Sequence, residues 1–330
     1  MKHANIAVFV PHNGCPNQCS FCNQRTISGV TKQPDPQDVV QACEIAMKNG
    51  CENVTVQLAF FGGSFTAIDR EYMVSLLGAA QPYIKNGFLN GGIRISTRPD
   101  FIDVDVLAVL KEYGVRAIEL GAQSMDDTVL LLNQRGHTAN DIEVAAKLIK
   151  SEGFELGLQM MTGLYGSDRE ESFMTARKFI ELKPDTVRIY PTVVLPGTKL
   201  AELYLSGEYV VQPLEESVDI CSHLLELFEQ ADINVIRLGL HAEQGVCDEY
   251  LAGGYHPALR ELCEGEIYFR KIKSALEGKP QGRYEITVSP QEISKAVGQK
   301  KKNITRLSSL GYDCKVKGDE RYKRFELTVG

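Results

Sequence analysis

The chain has 330 residues, 43% of them hydrophobic and 24% charged, and a formal net charge of −7. That length suits one large domain with a smaller appendage, and that composition excludes disordered and fibrous chains. The first apolar run, Ile6 to Val10, is too short for a signal-peptide core or a membrane span, which predicts a cytoplasmic protein with reduced thiols and no membrane partner.

Strand-type apolar runs open the chain at Ile6–Val10 and recur at Val54–Phe61, Ile93–Ser96, Ala117–Leu120, Leu156–Met161, Val187–Tyr190 and Val235–Arg237. Segments of helical period separate them. Val104, Leu107, Ala108 and Leu110 share one helical face, which Gly114 stops. Ser167-Asp-Arg-Glu170 has the spacing of a capping box, in which the serine hydroxyl and the glutamate satisfy the first free amides. Phe173, Ala176, Phe179 and Ile180 form the buried stripe of the helix it opens, and Pro184 follows its end. Repeated β-then-α units imply an α/β fold of parallel strands with helical crossovers, either an open sheet or a full or partial barrel. In each case functional residues belong at the carboxyl ends of the strands.

Residues 1–238 form this core, and residues 239–280 connect it, through a linker at Glu277–Gly282, to a small α+β module at 281–330. The module reads as strand Tyr284–Ser289, helix Pro290–Val297, loop Gly298–Lys302, helix Asn303–Leu310 and strands Cys314–Lys317 and Phe325–Val329. Ser289-Pro-Gln-Glu292 again has capping-box spacing. The module holds eleven Lys and Arg against six Asp and Glu, leaving 25 against 37 in the first 280 residues. This asymmetry predicts different partners for the two parts.

Of nine cysteines, Cys43, Cys51, Cys221, Cys247, Cys263 and Cys314 stand singly and read as small buried residues. Cys15, Cys19 and Cys22 instead form a CxxxCxxC triplet directly after the first strand. Thiolates so spaced hold a metal centre. One reading is a structural zinc with a fourth ligand, for which His12 is nearby; the other is a 4Fe-4S cluster that leaves one iron without a protein ligand. Gly62-Gly63-Ser64 follows the second strand, where glycine permits close backbone approach to a ligand. Ser96-Thr97-Arg98-Pro99-Asp100 and Gly121-Ala122-Gln123-Ser124 hold equivalent strand ends.

With these companions the triplet resembles the radical S-adenosylmethionine (SAM) superfamily. The resemblance narrows, through Thr97–Asp100, Glu119–Ser124, Arg135-Gly-His-Thr138, Met160-Met161, Ile189-Tyr-Pro-Thr192 and Gly197-Thr198, to the radical-SAM domains of the elongator catalytic-subunit family and its short bacterial relatives. It implies a partial (β/α)6-type barrel with a 4Fe-4S cluster on Cys15, Cys19 and Cys22. There SAM chelates the open iron and is cleaved to a 5′-deoxyadenosyl radical, with electrons from a flavodoxin or ferredoxin. By the same resemblance Gly62, Gly63 and Ser64 lie against the SAM amino group and Phe21 packs on the adenine. Gln123 and Arg135 contact the methionine and ribose portions, and Gln159 faces the ribose. Ser96 stands where relatives commonly carry the glutamate that contacts SAM. The elongator subunit continues into an acetyltransferase domain, whereas about 90 residues follow position 240 here, which argues against acetyl-CoA-dependent chemistry by this chain alone.

Ala296 to Ile304 resembles the GxxG segment of an RNA-binding KH domain, with Lys301 in place of the second glycine. Lys300, Lys301, Lys302 and Arg306 are then the RNA contacts. The leading function is a radical SAM enzyme that modifies RNA, with tRNA as the expected substrate. The alternatives are a radical SAM enzyme acting on a small molecule such as a porphyrinogen, and a non-catalytic RNA-binding protein with a structural metal. No acid, base or second radical carrier is singled out: Tyr190, His241, Cys247 and Cys263 follow late strands, and packing accounts for each.

Overall fold

The computed structural model of the chain describes residues 2–11, 13–16, 18–23, 26, 30, 32–50, 54–240 and 250–330; His12, Cys51, His241 and Cys247 lie outside the described residues. Seven strands lie side by side in sequence order, every pair parallel: β1 (Lys2–Phe9), β2 (Val54–Phe61), β3 (Ile93–Thr97), β4 (Val115–Gln123), β5 (Glu155–Thr162), β6 (Thr186–Pro191) and β7 (Asn234–Leu238). β1 and β7 remain edges, so the sheet is a partial barrel. All seven apolar runs read from the sequence are strands of this sheet.

Side chains alternate strictly across it. Ile6, Leu58, Ile93, Ile95, Ile118, Leu156, Leu158, Val187 and Ile189 take one face and pack against the crossover helices in the main core. The residues between them, Gln57, Arg94, Glu119, Gln159, Arg188 and Tyr190, take the other. Parallel strands are usually apolar on both faces. Here the inner face is polar, and it leads into the site.

Two helix starts differ from the expected ones. Helix α1 (Arg169–Leu182) is capped by Asp168, whose carboxylate accepts from the Glu171 amide at 2.8 Å. Ser167 sits one residue too early and donates to the Leu164 carbonyl at 2.9 Å. Ser289 also makes no side-chain cap. Its intended partner Glu292 is buried and instead accepts from Lys295 at 2.7 Å and from the Tyr268 hydroxyl at 3.2 Å.

Helices α2 (Leu214–Gln230) and α3 (Leu259–Leu276) close the late side of the barrel. In the C-terminal module β8 (Gly282–Val288) is central, parallel to β9 (Tyr312–Gly318) and antiparallel to β10 (Leu327–Val329). Helices α4 (Ile293–Val297) and α5 (Lys302–Ser309) complete it. The hydrophobic cluster of the barrel continues through Tyr268, Phe269 and Ile272 of α3 into Ile286, Val288, Ala296, Leu307 and Phe325. Buried Glu264 of α3 accepts from Arg260 at 3.0 Å, Lys295 at 2.9 Å and Arg324 at 2.7 Å. Arg306 pairs with Glu266 and stacks on Phe269, 3.4 Å from the ring centroid. Part of the basic charge of the module is thus met by acids of the body. Among the described residues no helix is long and apolar enough to cross a membrane.

Candidate active site

The cysteine loop is locked to the turn after β2. The Val10 amide donates to the Phe61 carbonyl at 2.7 Å, and the Ser64 amide to the Asn13 carbonyl at 3.0 Å. Gly14 has φ +73°, and a Cβ there would lie 2.3 Å from the Ser64 carbonyl oxygen. A Cβ on Gly63 would lie 2.2 Å from the Asn13 carbonyl and 2.7 Å from that of Val10. The crossing therefore requires glycine on both sides, and a side chain at Gly63 would strike the cysteine loop's own backbone. Gly63→Val is expected to lower iron content after anaerobic reconstitution together with thermal stability. A variant with full iron and unchanged stability would refute this reading of the crossing.

Cys15, Cys19 and Cys22 line one cleft at the carboxyl ends of the strands. The loop between them is held from two sides: the Ser20 hydroxyl donates to Asn133 Oδ1 at 2.7 Å, and the Leu200 amide to the Ser20 carbonyl at 2.7 Å. Arg135 points Nη1 at Cys19 Sγ from 3.0 Å, donates through Nη2 to the Gly121 carbonyl, and stands 6.0 Å from the Phe21 ring centroid. Burial and the neighbouring Cys19 push the Cys15 thiol up, while Arg98 and Arg135 pull it down.

Among the described residues, the lining of this cleft includes Arg98, Arg135 and Arg188 and no acidic side chain. Among the described residues of this lining, Gln123 Oε1, Arg98 Nη1 and Arg135 Nε lie buried without a hydrogen-bond partner. Gln123 holds its place with φ +71°, a left-handed backbone rare for glutamine and typical of functional sites. This donor set fits an anionic, multi-atom group held by three thiolates with a polar cofactor beside it. Among the described residues no three His, Cys, Asp or Glu side chains converge to hold a single ion. A cluster that takes one thiolate on each of three irons does not require such convergence.

Of the residues expected at the site, Phe21, Gly62, Gly63, Ser96, Gln123, Arg135 and Gln159 line the cleft with the cysteines. Ser64 is fully buried behind it, 3.0 Å from the Thr97 hydroxyl, and joins the turns after β2 and β3. Ser96 lies 3.4 Å from Gln159 Nε2, which also donates to Glu119 at 2.9 Å. Glu119 is 1% exposed and accepts from Arg94 at 3.2 Å and Arg188 at 2.8 Å as well. Sequence reasoning assigned Arg94, Glu119 and Arg188 no part. Their signal was period-two placement of charge within otherwise apolar strands.

Lys300 and Lys301 are exposed on the loop between α4 and α5, at φ +51° and +62°, and exposed Lys302 opens α5. Arg306 is committed to Glu266. The loop borders a second cleft, of about 750 Å³, whose other wall includes Glu215, Asp219 and Glu261 from the first turns of α2 and α3. The approach to α2 is tied to the carboxyl end of β5 by Thr162 Oγ1 and Gln212 Oε1, 3.4 Å apart. The lysine loop and the cysteine cleft therefore open at the same end of the barrel.

Among proteins of known name, the chain is 29% identical over 259 residues to tRNA uridine(34) acetyltransferase of Methanocaldococcus jannaschii, covering 67% of this chain and 48% of that protein. It is 29% identical over 191 residues to human Elongator complex protein 3, covering 52% and 35%. The chain spans about half the length of the first curated relatives it matches. The fold is similar to that of archaeal Elp3 from Methanocaldococcus infernus, with a TM-score of 0.64 at 23% identity over 82% of this chain and 63% of that one. It is also similar to coproporphyrinogen III oxidase of Escherichia coli, with a TM-score of 0.51 at 20% identity over 70% and 53%. The Radical SAM superfamily profile matches residues 9–179 and the Radical_SAM C-terminal domain residues 184–268, and the chain belongs to the radical SAM superfamily of enzymes.

Proposed function

We propose that this radical SAM enzyme modifies a uridine of tRNA, with a 4Fe-4S cluster on Cys15, Cys19 and Cys22 and SAM in the adjoining cleft. The observation that carries the reading is the gathering of three thiols, Arg135, Gln123 and Gln159 in one cleft at the strand ends. When bound, the cluster and SAM supply a 5′-deoxyadenosyl radical that removes a substrate hydrogen. Arg135 donates to the Cys19 sulfur and fixes its position. The unpartnered Gln123 Oε1 accepts from an ammonium, and Arg98 offers its free Nη1 to a carboxylate. Phe9, Phe61, Met161, Val193 and Leu195 form apolar walls that exclude water. A flavodoxin or ferredoxin supplies the electrons. Mass spectrometry of tRNA nucleosides from cells lacking the protein tests the reading: a missing modified uridine supports it, and an unchanged profile defeats it.

Lys300, Lys301 and Lys302 hold the RNA backbone in this scheme, since the body is acidic and repels phosphates. Their joint replacement by alanine is expected to weaken binding of all RNA sequences alike. The salt dependence of log K should fall by about 0.7 for each lost single-strand phosphate contact. Equal affinity and equal slope in wild type and variant would remove the loop from the interface.

A further inference from the structure

Part of the cleft lining has no role in the scheme above. Arg188 reaches from β6 across the inner face to β2, where its guanidinium lies 5.1 Å from the Phe61 ring centroid. It is 8% exposed, and Glu119 fixes one edge of it. Arg94 and Gln159 in turn fix Glu119, so the guanidinium has little freedom to swing. Tyr190, two residues on and on the same face, sets its hydroxyl against Arg188. Burial raises the Tyr190 pKa, so the phenol stays protonated. A phenol oxygen that faces a guanidinium keeps its own hydrogen to donate elsewhere.

The result is a rigid pair of donors in an apolar surround of Phe9, Phe61, Met161 and Leu195, in a cleft whose lining, among the described residues, includes no carboxylate. Buried donors are costly unless an acceptor meets them. The ligand must bring that acceptor.

We propose that Arg188 and Tyr190 read a carbonyl oxygen of the substrate base and so select the 4-oxo pyrimidine, uracil, over the 4-amino pyrimidine, cytosine. The proposal rests on the reading of the chain as a tRNA-uridine enzyme. The exocyclic oxygen of uracil accepts from both donors, whereas the amino group of cytosine turns hydrogens toward them. Phe9 and Phe61, with ring centroids 6.2 Å apart, offer aromatic surface for a base turned out of its stack. Sites built from hydrogen bonds reject the analogue that leaves them unpaired.

The test is equilibrium binding of the full chain to two anticodon stem-loop RNAs that differ only at nucleotide 34, uridine in one and cytidine in the other. Wild type is expected to prefer the uridine RNA by about tenfold. Arg188→Met and Tyr190→Phe should lose most of that preference and bind both RNAs as wild type binds the cytidine form. Tyr190→Phe removes one oxygen and keeps the test open if Arg188→Met does not fold. Full preference retained in both variants overturns the assignment. So does loss of SAM affinity, measured by equilibrium dialysis, with base preference intact, because Arg188 would then serve the cofactor. Wild type that binds both RNAs equally overturns it too and leaves the tRNA reading standing. Wild type that binds neither RNA, nor total tRNA from cells lacking the protein, overturns the tRNA reading and this proposal with it.

Discussion

Cys19→Ala is expected to abolish 5′-deoxyadenosine formation and to leave the protein without a stable iron-sulfur cluster. Cys19 is the most enclosed of the three cluster thiols, at 8% exposure, and is the one met by Arg135. Removing it takes away a ligand and leaves a buried guanidinium facing a methyl group. Two thiolates remain, too few to hold four irons against chelation by solvent. Cys263→Ala is the control: that thiol is fully buried in the core, and burial raises its pKa well above the ordinary range, so it is inert. The checks are iron and sulfide content after anaerobic reconstitution, the visible spectrum, and chromatography of the nucleoside product. Wild-type iron in Cys19→Ala, or a colourless wild type loaded with zinc, would end the cluster assignment.

Glu119→Ala should cost about 3–5 kcal/mol of stability, the usual consequence of removing one partner from a buried ion cluster. Three donors, from Arg94, Arg188 and Gln159, converge on its carboxylate. Arg94 keeps Glu155, at 2.5 Å, as a second partner. Arg188 has no second carboxylate among its described contacts, so most of the penalty falls there. Replacing Arg188 by Met in the Glu119→Ala background is therefore expected to restore part of the loss, because an unpaired charge is removed with it. Urea unfolding of the single and double variants measures both effects. If Glu119→Ala lay within about 0.5 kcal/mol of wild type, the site would be hydrated and the ion cluster immaterial.

The partial barrel was legible because its strands are apolar runs separated by segments of helical period, and the site was legible because its cysteines stand at fixed offsets and its glycines follow a strand. The polar inner face was not. Arg94, Glu119 and Arg188 lie on different strands, and their meeting depends on registers such as Ser96 opposite Glu119 and Gln159 opposite Arg188, which a linear pattern does not state. The caps failed for a local reason. At 167–170 an aspartate adjoins the serine, and its carboxylate is the stronger acceptor; at 289–292 the glutamate is drawn to Lys295 three residues on and to the Tyr268 hydroxyl of α3. The pairing of the module's basic charge with the acidic body was hidden for a third reason. Formal charge counts ignore pairing, and Lys295, Arg306 and Arg324 are taken up by acids of α3 and its neighbours.

Helix α3 belongs equally to the barrel, where Arg260 donates to the Val235 carbonyl at 2.6 Å, and to the C-terminal module, where Tyr268 receives the Phe325 amide at 2.9 Å. With one hydrophobic core running through it, there is no seam along which the module could open while the barrel stays closed. The two parts are thermodynamically linked. If the proposed RNA site lies at residues 298–302, an RNA held there would stabilise the strands that carry the cysteine loop by mass action, as it would every element of a single cooperative unit. Substrate capture at the module would then steady the walls of the cleft before any base reaches them.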